Sequence, residues 1–422
     1  MGAKPGCDPR EDVLAPEHQS QTRISSTEPA ALGAVQKSFV IQRLENIEEL
    51  AALAPEWSVI DKATWPRSHF TSPAWLLPWW KHLRRRNVVF RDEFYAHVIR
   101  SWDGRLVAIA PLMRSFAPGL GVPVLRILQF FGTDPNLTEF RGVICASGDH
   151  DVVVQALFAH FLARRDEWDV FRWHGLRRSA AHYEVALPDY ALIDGVVRPD
   201  YVLALPPSWE ALTTRLSGKM RQNLRRTYRG LERDGLRFGL RVVAAEAEVA
   251  GATARFFALN AARAAATNMV KRPPLFRSRR ALPFFSEQLL EFAAHDQLRI
   301  FELEVAGKVV ASRLAFQLDD VLYLYFSGYD PVWRYHSVMT VLMAEMIQWA
   351  LARGIREINL STGNDQSKLR WKPKEVLLHE AMLISPSPWV RHSFRAYLRG
   401  ADLRAKLRGE GAVARQFWRA PP

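Results

Sequence analysis

Residues 321–371, VLYLYFSGYDPVWRYHSVMTVLMAEMIQWALARGIREINLSTGNDQSKLRW, leave little freedom of local structure. Val321 to Phe326 is rich in β-branched and aromatic residues and predicts a short strand, broken by Gly328, Asp330 and Pro331. Val338, Leu342, Met346 and Trp349 then recur at helical spacing between an N-cap at Ser337 and a stop at Gly354. Met339, Met343 and Ile347 extend the apolar surface around most of that helix, so it should lie buried against a sheet. Ile355 to Leu360 is a second strand. A strand, a buried crossover helix and a strand define an α/β unit with a parallel or splayed strand pair.

The backbone N–H groups from Ser337 to Thr340 have no intrahelical acceptor, which suits the site to an anion; the same pattern also fits an ordinary capped core helix.

The run SGYDPVWRYHSV, followed by GI-x-E-x-N-x-STG-x4-K-x2-W, resembles the C-terminal half of the GNAT-type acyltransferases of the CelD cellulose-biosynthesis group, which are similar to the Fem aminoacyltransferases. Supporting segments are SWEALTTRLSGKMRQNLRRTYRGLERDG, GKVVASRLAF, FTSPAWLLPWW and GRLVAIAPLMR. The resemblance covers about residues 38 to 385 and implies a tandem GNAT-like fold: α/β (α+β), with two mixed central sheets flanked by helices. It also implies an acyl-CoA donor, acetyl-CoA first, and an amine or sugar-linked acceptor in envelope or exopolysaccharide biosynthesis.

A chain of 422 residues suggests two domains, and 48% hydrophobic residues give each a core. No apolar run is long enough to cross a membrane, and residues 1–37 carry Pro, Asp, Glu and Ser where a secretion signal would need an apolar stretch. That segment reads as a disordered leader of a cytoplasmic protein. An N-terminal domain is expected over 38–205 and a C-terminal domain over 206–385, each running helices, hairpins and a crossover helix. Asp103-Gly104 and Ala306-Gly307 are the clearest hairpin turns. With only Cys7 and Cys145, and no His cluster at ligand spacing, neither a disulfide framework nor a metal site is expected.

A net charge of +13 points to an anionic partner. Trp209 to Asp234 reads as a helix with Leu216, Met220, Leu224, Tyr228 and Leu231 on one face and a basic face opposite. Arg225, Arg226 and Arg229 of that helix are candidate substrate-binding groups, with tRNA phosphates as the alternative ligand if the donor is an aminoacyl-tRNA. Residues 386–422 form a basic amphipathic tail. It fits either an anionic membrane surface on the inner face of the membrane or packing against the N-terminal half.

Acyl transfer needs an aligned neutral amine and a polarised carbonyl. Phe326 and Ser327, at the strand edge, and Arg334, Tyr335, His336, Ser337, Val338, Met339 and Thr340, at the helix start, are the candidate donor-binding residues. The resemblance implies a glycine-rich R-x-x-G-x-G/A turn there, and Ser337 and Met339 replace both glycines. By the same resemblance, Lys368 occupies an active-site lysine position, with Asp365 beside it as its partner or a substrate ligand. Tyr329 and Tyr325 are candidate proton donors or packing residues, and the resemblance implies an acid in the loop FGTDPNLTEF, where Glu139 and Asp134 are candidate general bases or ligands of a sugar hydroxyl.

Overall fold

The computed structural model describes residues 39–134, 137–183, 189–196, 199–266, 280–363 and 365–407. The expected leader, the last part of the tail (408–422) and Asn364 lie outside them. The chain begins with β1 (Phe39–Arg43), α1 (Ile47–Ala52), α2 (Ala54–Lys62) and α3 (Pro73–Leu83). It continues through β2 (Arg91–Phe94), β3 (His97–Ser101), β4 (Leu106–Ala110), β5 (Leu112–Ala117), β6 (Leu125–Phe130), β7 (Ile144–Cys145), α4 (His150–Leu162) and β8 (Val170–Leu176). After β9 (Ala191–Val196) and β10 (Asp200–Ala204) come α5 (Trp209–Arg215), α6 (Gly218–Arg233), β11 (Phe238–Val243), α7 (Glu246–Ala265) and α8 (Ala281–Ala294). The remainder is β12 (Leu298–Val305), β13 (Lys308–Leu318), β14 (Val321–Tyr329), α9 (Val338–Ala352), β15 (Glu357–Thr362), α10 (Gln366–Leu369), β16 (Lys374–Val376), β17 (His379–Ile384) and α11 (Pro388–Leu407).

The expected mixed α/β architecture is present. A seven-stranded sheet, ordered β11-β12-β13-β14-β15-β10-β16, carries the C-terminal half, and a six-stranded sheet, β2-β5-β6-β8-β17-β9, carries most of the N-terminal half. A smaller sheet, β1-β3-β4-β7, continues from the six-stranded one; Pro111, which has no N–H to give a ladder, separates β4 from β5. Each large sheet is antiparallel except at one parallel pair: β6 with β8 across α4, and β14 with β15 across α9.

The two halves exchange strands. β10 follows the N-terminal sheet in sequence yet lies between β15 and β16, and β17 follows the C-terminal sheet yet lies between β8 and β9. The sheet boundary therefore does not fall at the 205/206 junction read from the sequence. Both exchanged strands carry a register shift against their neighbour, at Asp200/Val202 and at His379/Ala381. Opposite them stand Ser361 at φ +69° and Gly175 at φ +75°. The same local geometry thus recurs in both halves without shared residue types.

The basic segment 209–234 is two helices, because Ser217 leaves helical geometry and caps α6 through the Met220 N–H. Its apolar stripe is buried as expected, and the Tyr228 hydroxyl donates to Glu345 on α9 at 2.7 Å. α11 folds back on the N-terminal sheet, burying Val390 and Phe394 against Leu125, Ile127, Val170, Met382 and Ile384. Trp389, at the start of the helix, stays exposed.

Candidate active site

The centre of the C-terminal sheet is split. β14 and β15 pair only over Val321–Tyr323 and Glu357–Asn359, although β14 runs on to Tyr329 and β15 to Thr362. Within the split, β14 carries a bulge: Arg313 faces Ser327 and Ala315 faces Leu324, so Tyr325 and Phe326 together oppose Leu314. A bulge leaves one residue's backbone outside the ladder and reverses the side-chain alternation beyond it. Tyr323 and Tyr325 consequently pack into the cluster of α3 and α8, whereas Tyr329 packs toward α9.

The far side of β14 is sealed by α7. A Cβ on Gly328 would sit 2.4 Å from the Asn260 nitrogen, so only glycine permits this approach. The Ser327 carbonyl accepts from Asn260 Nδ2 at 3.1 Å and its hydroxyl bonds Arg263 Nη1 at 3.0 Å. Ser327, expected to help hold a donor, therefore has its hydroxyl and carbonyl engaged by α7.

Lys368 closes the other lip. From the short helix α10 its Nζ donates to the carbonyls of Ser361 at 3.0 Å and Thr362 at 2.7 Å. Burial pulls its pKa down to about 8, opposed by the nearby charge of Glu139. Asp365 is the N-cap of α10, its Oδ1 accepting from the Ser367 N–H at 2.8 Å. Its charge also acts on Lys368 and Arg370, favouring their protonated forms.

Glu139 crosses over from the N-terminal half. Tyr323 donates to its Oε2 at 2.7 Å and Ser361 to its Oε1 at 2.9 Å, while burial pushes its pKa above the usual carboxylate value. Asp200 stands beside it on β10. Asn359 Nδ2 donates to it at 2.6 Å, and burial raises its pKa too. The two carboxylates, Tyr323, Thr362, Ser68 and Phe140 line a narrow cavity of about 20 Å³, room for roughly one water molecule. The space between the halves is thus a crevice, because the aromatic cluster around Tyr323 and Tyr325 fills it.

Asp134, the other expected base, is a scaffold. It accepts from the N–H groups of Leu137 and Thr138, the Thr138 hydroxyl at 2.6 Å and Trp79 Nε1 at 2.8 Å. These bonds fold the loop that presents Glu139, and the Tyr325 hydroxyl pins the same loop through the Leu137 carbonyl. Tyr325 is therefore spent on positioning. Tyr329 lies six residues beyond Tyr323 on the same strand, about 20 Å away, with the Arg263 guanidinium 5.6 Å from its ring. It does not share a centre with Glu139.

The start of α9 differs from a simple serine cap. Residues Pro331–His336 form a 3-10 turn capped by Asp330, and Ser337 follows at φ 50°, ψ 39°, with no side-chain cap bond. This is the left-handed conformation that glycine adopts at least cost, and the serine in the glycine position takes it. The N–H groups of Thr340 and Val341 turn back to the Ser337 carbonyl, which leaves Val338 and Met339 as the amides with no acceptor within the helix. Arg370 donates to the Thr340 hydroxyl at 3.0 Å and so brings a cation to this end of the helix. His336 meets Asp234 at 3.0 Å, tying the turn to the end of α6. Arg334 and Tyr335 are exposed, the guanidinium 4.5 Å from the ring. Arg225, Arg226 and Arg229 are exposed on α6, which packs against α9 and this turn.

The sequence gives no signal for Asp200 or Arg370, and it shows Asn359 and Ser361 only as members of the motif around Lys368. Asp200 reaches the site only by strand exchange, and Ser361 by an unusual backbone angle. Tyr323 was legible as a strand residue but not as the partner of a carboxylate.

The part of the chain that holds the split sheet, residues 218–372, matches the family model of an acetyltransferase (GNAT) domain. Among solved structures, a conserved protein of unknown function from Bacteroides thetaiotaomicron VPI-5482 is similar at 15% identity, covering 82% of this chain and 100% of that one, with a TM-score of 0.47. FemX is similar at 8% identity, over 80% and 96% of the two chains, with a TM-score of 0.46. A tandem GNAT protein from the clavulanic acid biosynthesis pathway is similar at 10% identity, over 83% and 99%, with a TM-score of 0.42. No curated protein matches the chain. Among the described residues no cluster of three or more metal-binding side chains occurs, and no helix is long and apolar enough to cross a membrane.

Proposed function

We propose that the protein is an N-acyltransferase that moves an acyl group from a coenzyme A thioester to an amine, at the split between β14 and β15. The carrying observation is the convergence on that split of the β14 bulge and the buried lysine of the GNAT-matching segment with a buried carboxylate from the N-terminal half. Glu139 accepts the proton as the amine nitrogen attacks the thioester carbonyl. The Lys368 ammonium supplies positive charge as the carbonyl oxygen becomes an oxyanion beside the β14 bulge. The C–S bond then breaks and Glu139 returns the proton to sulfur, so protons balance over the cycle. The amides of Val338 and Met339, with Arg370 and Arg334, would take the donor's phosphates. The acceptor proposed from the CelD-like motifs is an amine on an envelope or exopolysaccharide precursor, acylated in the cytoplasm.

The exposed cations Arg225, Arg226 and Arg229 favour a second reading, an aminoacyl-tRNA donor. Thermal-shift titrations with acetyl-CoA, longer acyl-CoAs and charged tRNA separate the two. A donor at a hundredfold excess over its Kd should add about 2.7 kcal/mol of stability. A response to tRNA with none to any acyl-CoA would replace the first reading by the second, and silence to both would remove the transferase proposal.

A further inference from the structure

Two loops at one end of the N-terminal sheet present apolar side chains to solvent. One is the turn from Arg86 to Phe90, between α3 and β2. The other is the hairpin tip from Pro118 to Val124, between β5 and β6. They are one surface: the Gly119 N–H donates to the Val88 carbonyl at 2.9 Å, and a Cβ on Gly119 would stand 2.0 Å from the Asn87 carbonyl oxygen. Asn87 fixes the first turn by accepting from the N–H groups of Val89 and Phe90 at 2.9 and 2.8 Å. On the joined tip Val122 is 86% exposed, Leu120 66% and Val88 65%. A rigid convex tip that keeps large aliphatic groups in water calls for a partner.

The charge around it narrows the choice. Segments 84–91 and 117–124 contain four arginines and no acid. Of the four, Arg85 is used by Asp92 at 2.8 Å and Arg91, though exposed, lies 3.6 Å from Glu93, which leaves Arg86 exposed beside the tip. α11 docks alongside, Tyr397 meeting Phe90 at 5.6 Å, and adds the exposed Arg395 and Arg399; no acid occurs from residue 385 to 400. Val390 and Phe394 of α11 are buried against the sheet, so this helix adds cations, together with the exposed Trp389, to the hydrophobic groups of the loops.

We propose that the joined tip of residues 86–90 and 118–123 is a membrane-docking surface that inserts Val88, Leu120 and Val122 into the interface of an anionic lipid leaflet. A convex apolar tip ringed by arginines suits a deformable, negatively charged headgroup layer better than a protein surface, which would have to present a matching concavity. β6 runs from this tip to the loop that bears Glu139, a distance of roughly 20 Å, so docking leaves the split sheet unobstructed.

The test is co-sedimentation of the full chain with vesicles of phosphatidylcholine alone or mixed with phosphatidylglycerol. Binding should require the anionic lipid and weaken at high salt. The double variant Val88→Asp/Val122→Asp should lower vesicle affinity roughly tenfold or more with an unchanged Tm, whereas removal of residues 408–422 should leave most of the binding. Absence of wild-type binding, or full binding by the double variant, overturns the proposal. So does a self-associated wild type that ignores vesicles and becomes monomeric in the double variant, an outcome that assigns the tip to a protein partner.

Discussion

Glu139 has no helix or strand of its own, and its position depends on the loop that Asp134 ties to Trp79 and Thr138. Substitution Glu139→Gln keeps the bonds from Tyr323 and Ser361 in reach but removes the base; kcat should fall by about 10² to 10⁴ with little change in donor Kd. Equal turnover would remove Glu139 from the chemistry. The pH profile should be a bell. Glu139 must be deprotonated, and its raised pKa moves the rising limb above the ordinary carboxylate range; Lys368 must be charged, so the falling limb should lie near its pKa of about 8. A kcat flat from pH 5 to 9 would contradict both roles. At Ser337 the left-handed backbone costs a residue with a Cβ about 1 kcal/mol, so Ser337→Gly should raise stability by up to that amount. Urea denaturation would show it.

At the scale of the element, the bulge in β14 and the short parallel pairing of β14 with β15 create the split. Both follow from what packs on either side. α7 is pressed against Gly328 so closely that Gly328→Val would force the helix away. Overpacking of this kind costs about 1–3 kcal/mol, and because α7 backs the split, the variant should lose transfer activity beyond its loss of Tm. A variant with lowered Tm but full kcat would separate α7 from the site. Local periodicity made the strands and α9 legible, since their apolar residues fall at the spacing of each element. The 3-10 turn before α9 and the break at Ser217 were not, because each depends on tertiary contacts, with Asp234 for the turn and with the buried stripe for α6.

For the molecule as a whole, strand exchange through β10 and β17 makes each sheet incomplete without the other half. Chemical denaturation should therefore give one transition, coincident by tryptophan fluorescence and circular dichroism, and a fragment ending at residue 205 should not fold alone. Two separate transitions would contradict the coupling. Acid should destabilise the protein early. His69 lies fully buried among Phe70, Trp75, Phe316, Tyr323 and Tyr325, with its pKa far below normal, and burial brings His97 to about 3 and His174 to about 4. A folded-state pKa below the unfolded value means the unfolded chain binds the proton first. The stability these groups contribute is therefore complete above about pH 6.5 and is lost as pH falls below it. The Tm should drop steeply between pH 6.5 and 4, and His69→Phe, which matches the ring without a titrating nitrogen, should flatten that slope.

The sequence by itself determined the strands, the buried crossover helix and the basic face of α6, because each is written in the spacing of residues within one segment, whereas Lys368 was marked only by the resemblance to a known family. Only the tertiary structure decided which carboxylate meets which tyrosine, that Asp134 ties the Glu139 loop to Trp79 and Asp365 caps α10, and that Asp200 enters from the other half. The physical reason is range: periodicity and capping act over a turn or two of chain, whereas burial, the pKa shifts that follow from it, and the exchange of strands arise only when residues far apart in the chain, such as Glu139 and Ser361 at 222 positions, are brought into contact.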